Sequence, residues 1–391
     1  MYNKTMLSSD ITSLMMRLKN STTGNLLINI NSENVFFAFT SKAVEDVVLN
    51  EYGSFIKDGG FKRLKYVLGE GLFTGEEPKH MINKREMSPA FDNDHIKMYE
   101  EKASLIIDKI LSDWSGEVNA RHYSKFIIFK SIMEIFFSEN IDDDFLTIKK
   151  NVAIVSDKIA NSIQDDEMAE STKQLKLICK NIIDKRLESK ENKNDFIDLI
   201  IKSYNNKIME LNDLYDDALT ILLGSYETTA YVLEWAIYYL STNKYWQEQL
   251  SQEKNVDAFI NEVLRLCPPI WNSERVAVKD VMIDGTLVSS GTKIVVSSFA
   301  IHRDKDIFED PESFKPERWL EDQKLSKGEY FPFLFGKRQC IGKEFGLMEM
   351  RIALVKISKK FNIELINEKV SYIGGMSFRP DRPIVINVTN K

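Results

Sequence analysis

Hydrophobic and polar residues follow two different spacings along this chain, and the spacing indicates where helices and strands lie. Between His80 and about Lys244, apolar residues recur every three or four positions, as in FIIFKSIMEIFF and LKLICKNIIDKRL, which predicts amphipathic helices. Earlier, LLINI at Leu26–Ile30 and VFFAF at Val35–Phe39 flank the turn-prone NSEN, which predicts a β-hairpin. A short helix capped by Ser41 is expected to follow it.

The longest helix is predicted from a cap near Asn212 to about Tyr239. Polar residues inside it, such as Glu227, interrupt the apolar run that a membrane span would need. A helix over Val256–Leu266 should end before the next two prolines. The segments SERVAVKDVMIDG and TKIVVSSFAI then predict strands, and a last long helix is expected over Ile341–Lys360.

Composition narrows the class of protein. The 391 residues are 43% hydrophobic and 28% charged, which is typical of a globular protein, and the net charge of -7 argues against nucleic acid as the main partner. Because no linker composition divides the chain, we expect one large domain over residues 1–391, mainly α with a smaller β-rich part. The N-terminus lacks a long apolar run, so we expect a soluble, cytoplasmic protein without a membrane anchor.

The cysteines leave few roles open for Cys340. The only others are Cys179 and Cys267, no Cys-x-x-Cys pair exists, and the four histidines are scattered. A complete disulfide framework and a zinc site built on Cys340 are therefore disfavoured. A buried inert thiol, a nucleophile, and a single thiolate ligand to a metal remain.

The segment around Cys340 favours the third role. It reads FLFGKRQCIG and lies just before the last predicted helix, whose dipole lowers a thiol's pKa. Gly336 and Gly342 permit a tight turn and the close approach of a flat cofactor. Arg338 offers a cationic fork for a carboxylate, and Phe333 would pack beside the sulfur.

This segment fits the haem-binding signature Phe-x-x-Gly-x-Arg-x-Cys-x-Gly, so the chain resembles the cytochrome P-450 family. Three further motifs follow that family's order: GSYETT at Gly224–Thr229, Glu262 with Arg265, and FKPERW at Phe314–Trp319. The resemblance covers roughly Gly69 to the C-terminus. It implies the cytochrome P-450 fold, with haem between the long central helix and the helix that follows the cysteine loop.

The resemblance also implies roles for single residues. Cys340 would be the sole protein ligand of the haem iron, and Glu227 and Thr228 would be the acid and alcohol that relay protons. Ser225 stands where the family usually has glycine. The alternative for Thr228 is a hydrogen bond to its own helix backbone.

Other residues would hold the haem or lock the fold behind it. Buried propionates need positively charged or hydrogen-bonding partners. The resemblance implies that Arg338, Arg275, and His80 with Lys84 contact them. Arg85 is an alternative to Lys84, and His302 is a further candidate for that edge. Phe333 and Gly342 would lie beside the cofactor. Glu262, Arg265 and Arg318 would form a structural triad, the alternative being an exposed ion pair.

The implied reaction is monooxygenation with haem b, using electrons from NAD(P)H. No reductase is expected within the chain, so a ferredoxin or flavodoxin and its reductase would deliver them. That carrier would be acidic, because basic residues surround the cysteine loop and the helix expected beside it: Lys79, Lys84, Arg85, Lys337, Arg338 and Lys343.

Apolar residues are expected to line the substrate site, at Leu222–Tyr226, Ile270–Ser273 and Tyr372–Phe378. They favour a largely apolar small molecule. Two alternatives stay open. One is a peroxide-using or rearranging haem-thiolate enzyme, which the acid and alcohol pair disfavours. The other is a non-catalytic haem sensor or binding protein.

Overall fold

The computed structural model describes residues 8–50, 53–140, 144–321, 324–366 and 369–391. Its α-helices are α1 (Ser8–Asn20), α2 (Ser41–Leu49), α3 (Gly60–Leu68), α4 (Lys79–Met87), α5 (Asn93–Leu111), α6 (Ala120–Ser131), α7 (Phe145–Ala160), α8 (Asp166–Ser189), α9 (Phe196–Asn205), α10 (Leu211–Ser241), α11 (Lys244–Ser251), α12 (Val256–Leu266), α13 (Ser298–Ile301) and α14 (Lys343–Lys360).

The strands are short and fall mostly near the two ends of the chain. They are β1 (Leu26–Ile30), β2 (Glu33–Ala38), β3 (Phe55–Lys57), β4 (Gly116–Asn119), β5 (Ser273–Ala277), β6 (Val281–Ile283), β7 (Thr286–Val288), β8 (Lys293–Val296), β9 (Phe361–Leu365), β10 (Tyr372–Gly374), β11 (Phe378–Pro380) and β12 (Val385–Asn390). The predicted class, mainly α with a smaller β-rich part, is confirmed.

The chain forms two compact units. The β-rich unit comprises Met1–Phe61, Asp257–Cys340 and Lys369–Arg382, and the helical unit comprises Lys62–Val256, Ile341–Glu368 and Pro383–Lys391. The expectation of one domain over residues 1–391 stays a prediction.

A five-stranded mixed sheet organises the β-rich unit, in the order β1-β2-β8-β5-β3. The predicted β1–β2 hairpin is confirmed, with Leu26 opposite Phe37, and β2 runs parallel to β8. Apolar residues of the sheet, of α2 and of the segment before Cys340 share one core, which includes Phe36, Val44 and Phe335. That core anchors the start of the cysteine loop, since Phe335 lies within it.

Helix α10 is the centre of the helical unit. It has 31 residues and is therefore about 46 Å long, and α6, α8 and α14 pack against it. A three-stranded sheet in the order β4-β12-β9 completes this unit. The predicted long buried helix is confirmed.

Helix ends differ from the predictions by one or two residues, and capping explains two of the differences. Thr40, not Ser41, caps α2, since its side chain accepts the N–H of Ala43. Glu210, not Asn212, caps α10 through a reciprocal pair with Asp213. The last helix begins at Lys343 rather than Ile341, and the end of TKIVVSSFAI forms α13 rather than strand.

Candidate active site

The cysteine loop presents Cys340 at the surface of the β-rich unit. The N–H of Cys340 donates to the carbonyl of Phe333 at 2.9 Å, and Gly336 to Arg338 form one turn of 3-10 helix between them. Gly336 has a φ of +69°, and a Cβ there would lie 3.3 Å from Leu49 Cδ2, so the turn requires glycine. Cys340 is exposed and forms no disulfide.

The other two cysteines are not available for the same role. Cys179 and Cys267 are both buried, and burial raises the pKa of the Cys179 thiol to about 12. Within the part of the chain that the structure describes, no group of three or more His, Cys, Asp or Glu side chains could hold a metal ion.

Gly342 caps the helix that follows the loop. It is the N-cap of α14, and its carbonyl accepts the N–H of Gly346 at 2.9 Å. A Cβ at Gly342 would lie 3.8 Å from Phe91, and one at Gly346 would lie 3.5 Å from Thr229 Oγ1. These two glycines let Phe91 and Thr229 approach the start of α14.

Two of the nominated arginines lie in the β-rich unit. Arg275, on β5, is buried, and its Nη1 donates to Ser273 Oγ at 2.8 Å and to the Glu274 carbonyl at 2.9 Å. It lines a small recess with Val47, Val48, Ser273, Val296 and Leu334. Arg338 is half-buried at the end of the 3-10 turn. The Arg275 guanidinium is thus held by the fold beside apolar residues.

Helix α4 carries His80 and Lys84. His80 is buried, with Nδ1 3.0 Å from Glu77 Oε1, and Lys84 is half-buried. Arg85 is exposed and pairs with Glu86 at 2.9 Å. The structure therefore favours Lys84 over Arg85 as the cation that faces inward.

The middle of α10 differs from the rest of this buried helix. Gly224 is exposed, and Ser225 and Thr228 are half-buried. Among the described residues, no atom lies within 4 Å of the place where a Cβ of Gly224 would be. Thr228 Oγ1 donates to the Gly224 carbonyl at 2.6 Å, which is the backbone hydrogen bond considered as its alternative role. The result is an open strip of small side chains.

Glu227 points away from this strip into a buried polar group. Ser156 Oγ donates to its Oε2 at 2.5 Å, Lys125 Nζ lies 3.6 Å from Oε1, and the Tyr231 hydroxyl lies 3.4 Å from Oε1. Burial lowers the pKa of Lys125, while Glu227 opposes that shift. Sequence reasoning missed Lys125 and Ser156, since nothing in their local sequence shows which helix they face.

His302 lies in the interior of the β-rich unit. It is fully buried, and its Nε2 accepts the N–H of Phe331 at 3.1 Å. Burial, followed by the charges of Arg265 and Arg303, lowers its pKa to about 3. The residue is therefore a neutral core histidine in this structure, and its candidacy for the propionate edge stays a prediction.

Two of the three predicted substrate-wall segments meet in the β-rich unit. Trp271 Nε1 donates to the Gly375 carbonyl at 2.9 Å, and the Phe378 N–H donates to the Pro269 carbonyl at 2.9 Å. The Phe378 ring lies 4.9 Å from that of Tyr372. These contacts form an aromatic cluster in this unit, in which Trp271 and Phe378 are buried and Tyr372 is half-buried.

The residues present fit a haem group. Cys340 offers one exposed sulfur in a fixed loop, Gly224 leaves open space on α10, and Arg275, Arg338, His80 and Lys84 supply donors for carboxylates. Haem needs one soft axial ligand and neutralised propionates. In the β-rich unit Cys340 supplies the thiol and Arg275 and Arg338 supply cations, and in the helical unit His80 and Lys84 supply further donors.

Comparisons with known proteins agree with this assignment. The family model described as cytochrome P450 matches residues 2–386. Cytochrome P450 3A6 of Oryctolagus cuniculus is 32% identical over 250 residues, which cover 56% of this chain and 50% of that protein. Cytochrome P450 3A5 of Homo sapiens is 30% identical over 228 residues, which cover 50% of this chain and 45% of that protein. The chain spans about half the length of the curated relatives it matches.

The described residues contain no helix that is both long enough and apolar enough to cross a membrane.

Proposed function

Because the chain belongs to the cytochrome P450 family, we propose that it is a haem-thiolate monooxygenase with Cys340 as the iron ligand. It inserts one oxygen atom from O2 into a largely apolar small molecule, by hydroxylation or epoxidation, in secondary or lipid metabolism. The observation that carries this proposal is the exposed Cys340 thiol, held in a loop by the Cys340 N–H bond to Phe333. The other two cysteines are buried.

Bound haem b would supply the oxygen chemistry, in which O2, two electrons and two protons yield one inserted oxygen atom and one water. The protein's own contributions are separate. Cys340 provides the thiolate, and Arg275, Arg338, His80 and Lys84 neutralise the two propionates. Phe333 and Gly342 flank the cofactor on the side of the cysteine.

Glu227 and Thr228 have separate roles in proton transfer. Thr228 lies on the open strip of α10, where its hydroxyl oxygen can accept one hydrogen bond while it donates another to Gly224. Glu227 faces Ser156 and Lys125 on the opposite side. In this scheme Glu227 exchanges protons with the buried polar group, and Thr228 positions the last donor.

Replacement of Cys340 tests the central claim. Cys340→Ser should abolish the red-shifted absorption of the reduced carbon monoxide complex, because an alcohol is a much weaker donor than a thiolate. Cys267→Ser is the matched control and should leave that spectrum unchanged. A persistent red-shifted band in Cys340→Ser would contradict the proposal.

Replacement of Thr228 tests the proton role. Thr228→Ala should keep haem and substrate affinity but divert electrons into hydrogen peroxide, with product per electron lowered by about 10²-fold, as for loss of one positioned proton donor. Thr228→Ser retains the hydroxyl and should restore coupling. Equal product per electron in all three proteins would remove Thr228 from the scheme.

One alternative is a peroxide-using or rearranging haem-thiolate enzyme. The Thr228 hydroxyl donates to the Gly224 carbonyl, and Glu227 accepts a hydrogen bond from Ser156. These bonds favour the alternative, because an enzyme that relays no protons through the two side chains could keep both of them. Product formed with peroxide and without electron carriers would support it, as would rearrangement of an oxygenated substrate. The other alternative, a non-catalytic haem sensor, predicts no product under either condition.

Electrons would come from NAD(P)H through a separate ferredoxin or flavodoxin and its reductase. Lys79, Arg85 and Lys343, three of the predicted docking residues, also pair with Asp213, Glu86 and Glu344. Lys337 is exposed three residues from Cys340. We keep the predicted set of basic residues as the docking surface and test it at Lys337, because this side chain is exposed on the cysteine loop.

Charge reversal tests this assignment. Lys337→Glu should slow reduction by an acidic carrier, and added salt should slow reduction of the wild type, because exposed charges are screened beyond ~8 to 10 Å at physiological ionic strength. Lys173→Glu is the control, since Lys173 is exposed on α8. Indifference to salt and to Lys337→Glu would place docking elsewhere.

The predicted apolar substrate would lie against the aromatic cluster of Trp271, Tyr372 and Phe378, of which Tyr372 is the half-buried member. Titration with a library of apolar metabolites, followed by the haem absorption spectrum, would identify ligands that displace water from the iron. The predicted cytoplasmic location stays a prediction.

A further inference from the structure

Asp217 is a buried acid in the apolar part of α10. Its side chain has no exposed surface, and it lies seven residues, or two turns, before Gly224, so both occupy one face of the helix. Burial raises the pKa of Asp217 to about 8. Such a group is costly unless its oxygens are hydrogen-bonded, which makes its partners informative.

Those partners come from two other segments of the helical unit. The N–H of Leu72 donates to Asp217 Oδ1 at 2.5 Å, and Asn83 Nδ2 donates to Oδ2 at 2.8 Å. Leu72 belongs to the connection between α3 and α4, and Asn83 belongs to α4. One carboxyl group therefore holds both segments against α10.

A second contact aligns α4 with α10. Lys79 pairs with Asp213 at 2.5 Å. Lys79 and Asn83 are one turn apart on α4, and Asp213 and Asp217 are one turn apart on α10. Two successive turns of α4 thus contact two successive turns of α10. The two contacts fix the position of α4 along α10 and its rotation about its own axis.

The connection before α4 lies too close to α10 to admit side chains. A Cβ at Gly71 would lie 2.5 Å from Thr220 Oγ1 and 2.9 Å from the Asp216 carbonyl. The N–H of Glu70 donates to Asp216 Oδ2 at 2.9 Å. Thr220 is one turn before Gly224, so the connection approaches α10 closely at Gly71, one turn from the open strip.

We propose that Asp217 is a positioning residue for the cofactor. By fixing α4 on α10 through Asn83, it holds His80 and Lys84 in place for the haem propionates. His80 and Lys84 each directly follow one of the two α4 residues that contact α10. The inference rests on the proposed function, because it assumes that these two side chains meet propionates.

Two substitutions at Asp217 separate the loss of its hydrogen bonds from the loss of its titratable carboxyl group. Asp217→Leu removes both acceptors and leaves the Leu72 N–H and the Asn83 amide without them. Asp217→Asn matches the neutral carboxyl in size, accepts from Leu72 through its amide oxygen, and donates to Asn83 once the Asn83 amide is rotated. Asp217→Asn is therefore the conservative control.

The test compares two cofactors. Full-length protein is loaded with haem or with haem dimethyl ester, which lacks the propionate charges, and the rate of cofactor transfer to an excess of haem-free globin is measured. Asp217→Leu should release haem about tenfold faster than wild type, the change that loss of one buried hydrogen bond brings. Release of the dimethyl ester should not change, and Asp217→Asn should behave as wild type.

Equal acceleration with both cofactors, or no acceleration with either, would overturn the proposal, because a purely structural defect does not distinguish them. If Asp217→Leu does not fold, Asn83→Ala decides the question, since it removes only the α4 contact and should show the same selective loss. A wild-type protein without the thiolate-type spectrum would instead refute the proposed function.

Discussion

Two motifs of the β-rich unit differ in how deeply their functional groups are buried. Around Glu262, every charge is buried and satisfied, whereas the loop around Cys340 is exposed and ends in a thiol. The first arrangement specifies the fold, and the second leaves a reactive group available. The contrast separates residues that this chain needs in order to fold from those it needs for chemistry.

Glu262 accepts donors from several segments. Its Oε1 accepts Arg265 Nη2 at 2.8 Å, Arg318 Nε at 3.2 Å and the Lys315 N–H at 2.8 Å. Its Oε2 accepts Arg265 Nε at 2.9 Å and Trp319 Nε1 at 2.8 Å. The predicted Glu262, Arg265 and Arg318 triad is confirmed, and it is buried rather than exposed.

Arg265 extends the same cluster into three backbone segments. Its Nη1 donates to the carbonyls of His302 and Pro311 at 2.7 and 2.6 Å, and its Nη2 donates to that of Ser313 at 3.1 Å. Because a buried charge without partners is costly, the arginine and these carbonyls depend on one another.

The largest expected effect is therefore the loss of Glu262. Glu262→Ala leaves Arg265 buried without its carboxylate and should lower the free energy of unfolding by about 3 to 5 kcal/mol, measured by urea denaturation. Glu170→Ala is the control, because Glu170 pairs with Lys173 at the same spacing but both side chains are exposed. It should change stability by less than ~1 kcal/mol. Equal losses in the two variants would contradict the contrast.

His302 gives the cluster a dependence on pH. Its pKa is lowered to about 3 in the folded protein, against ~6.5 when unfolded, so the unfolded chain binds the extra proton between these values. The contribution of His302 to the free energy of unfolding is complete above pH ~6.5. It falls by up to ~1.4 kcal/mol per pH unit as the pH drops towards 3. His302→Gln should flatten that slope in urea titrations. An unchanged slope would mean that other groups cause acid unfolding.

A smaller effect is expected in the loop itself. Gly336→Ala places a side chain at a φ of +69° beside Leu49, which should cost about 1 to 2 kcal/mol. Gly24→Ala is the control, since its added Cβ would meet no described atom within 4 Å and its φ is not positive. Stability equal to wild type in Gly336→Ala would show that the loop relaxes.

The smallest effect should come from Cys340. In the haem-free protein, Cys340→Ser should change the free energy of unfolding by less than ~0.5 kcal/mol, as for an exposed site. Cys179→Ser should cost more, about 1 to 3 kcal/mol, because it buries a hydroxyl in place of a fully buried thiol. A large loss in Cys340→Ser would make the thiol structural as well.

Local patterns in the sequence were sufficient for several elements. Helix α12 has the predicted bounds because two prolines end it after Leu266 and Cys267. The β1–β2 hairpin forms because Asn31 and Ser32 adopt the positive φ that its tight turn requires. The predicted N-cap positions of α2 and α10 differ from the observed ones by one or two residues. Several neighbouring residues can cap a helix, and only the path of the backbone decides which of them does so.

The basis for the predicted role of Cys340 was also evident locally, since glycines, an arginine and a following helix define the loop within ten residues. The partners of buried groups were not. Lys125 and Ser156 reach Glu227 from helices 71 or more residues away in the chain, and Asn83 reaches Asp217 across 134 residues.

The sequence by itself determined the family, the order of most elements and the identity of the exposed thiol, because these depend on spacing within one helix or loop. The tertiary structure alone decided which charges are buried together, and it buried His302 completely. The physical reason is that burial and hydrogen bonding depend on residues far apart in the chain, while hydrophobic period and turn chemistry depend on neighbours.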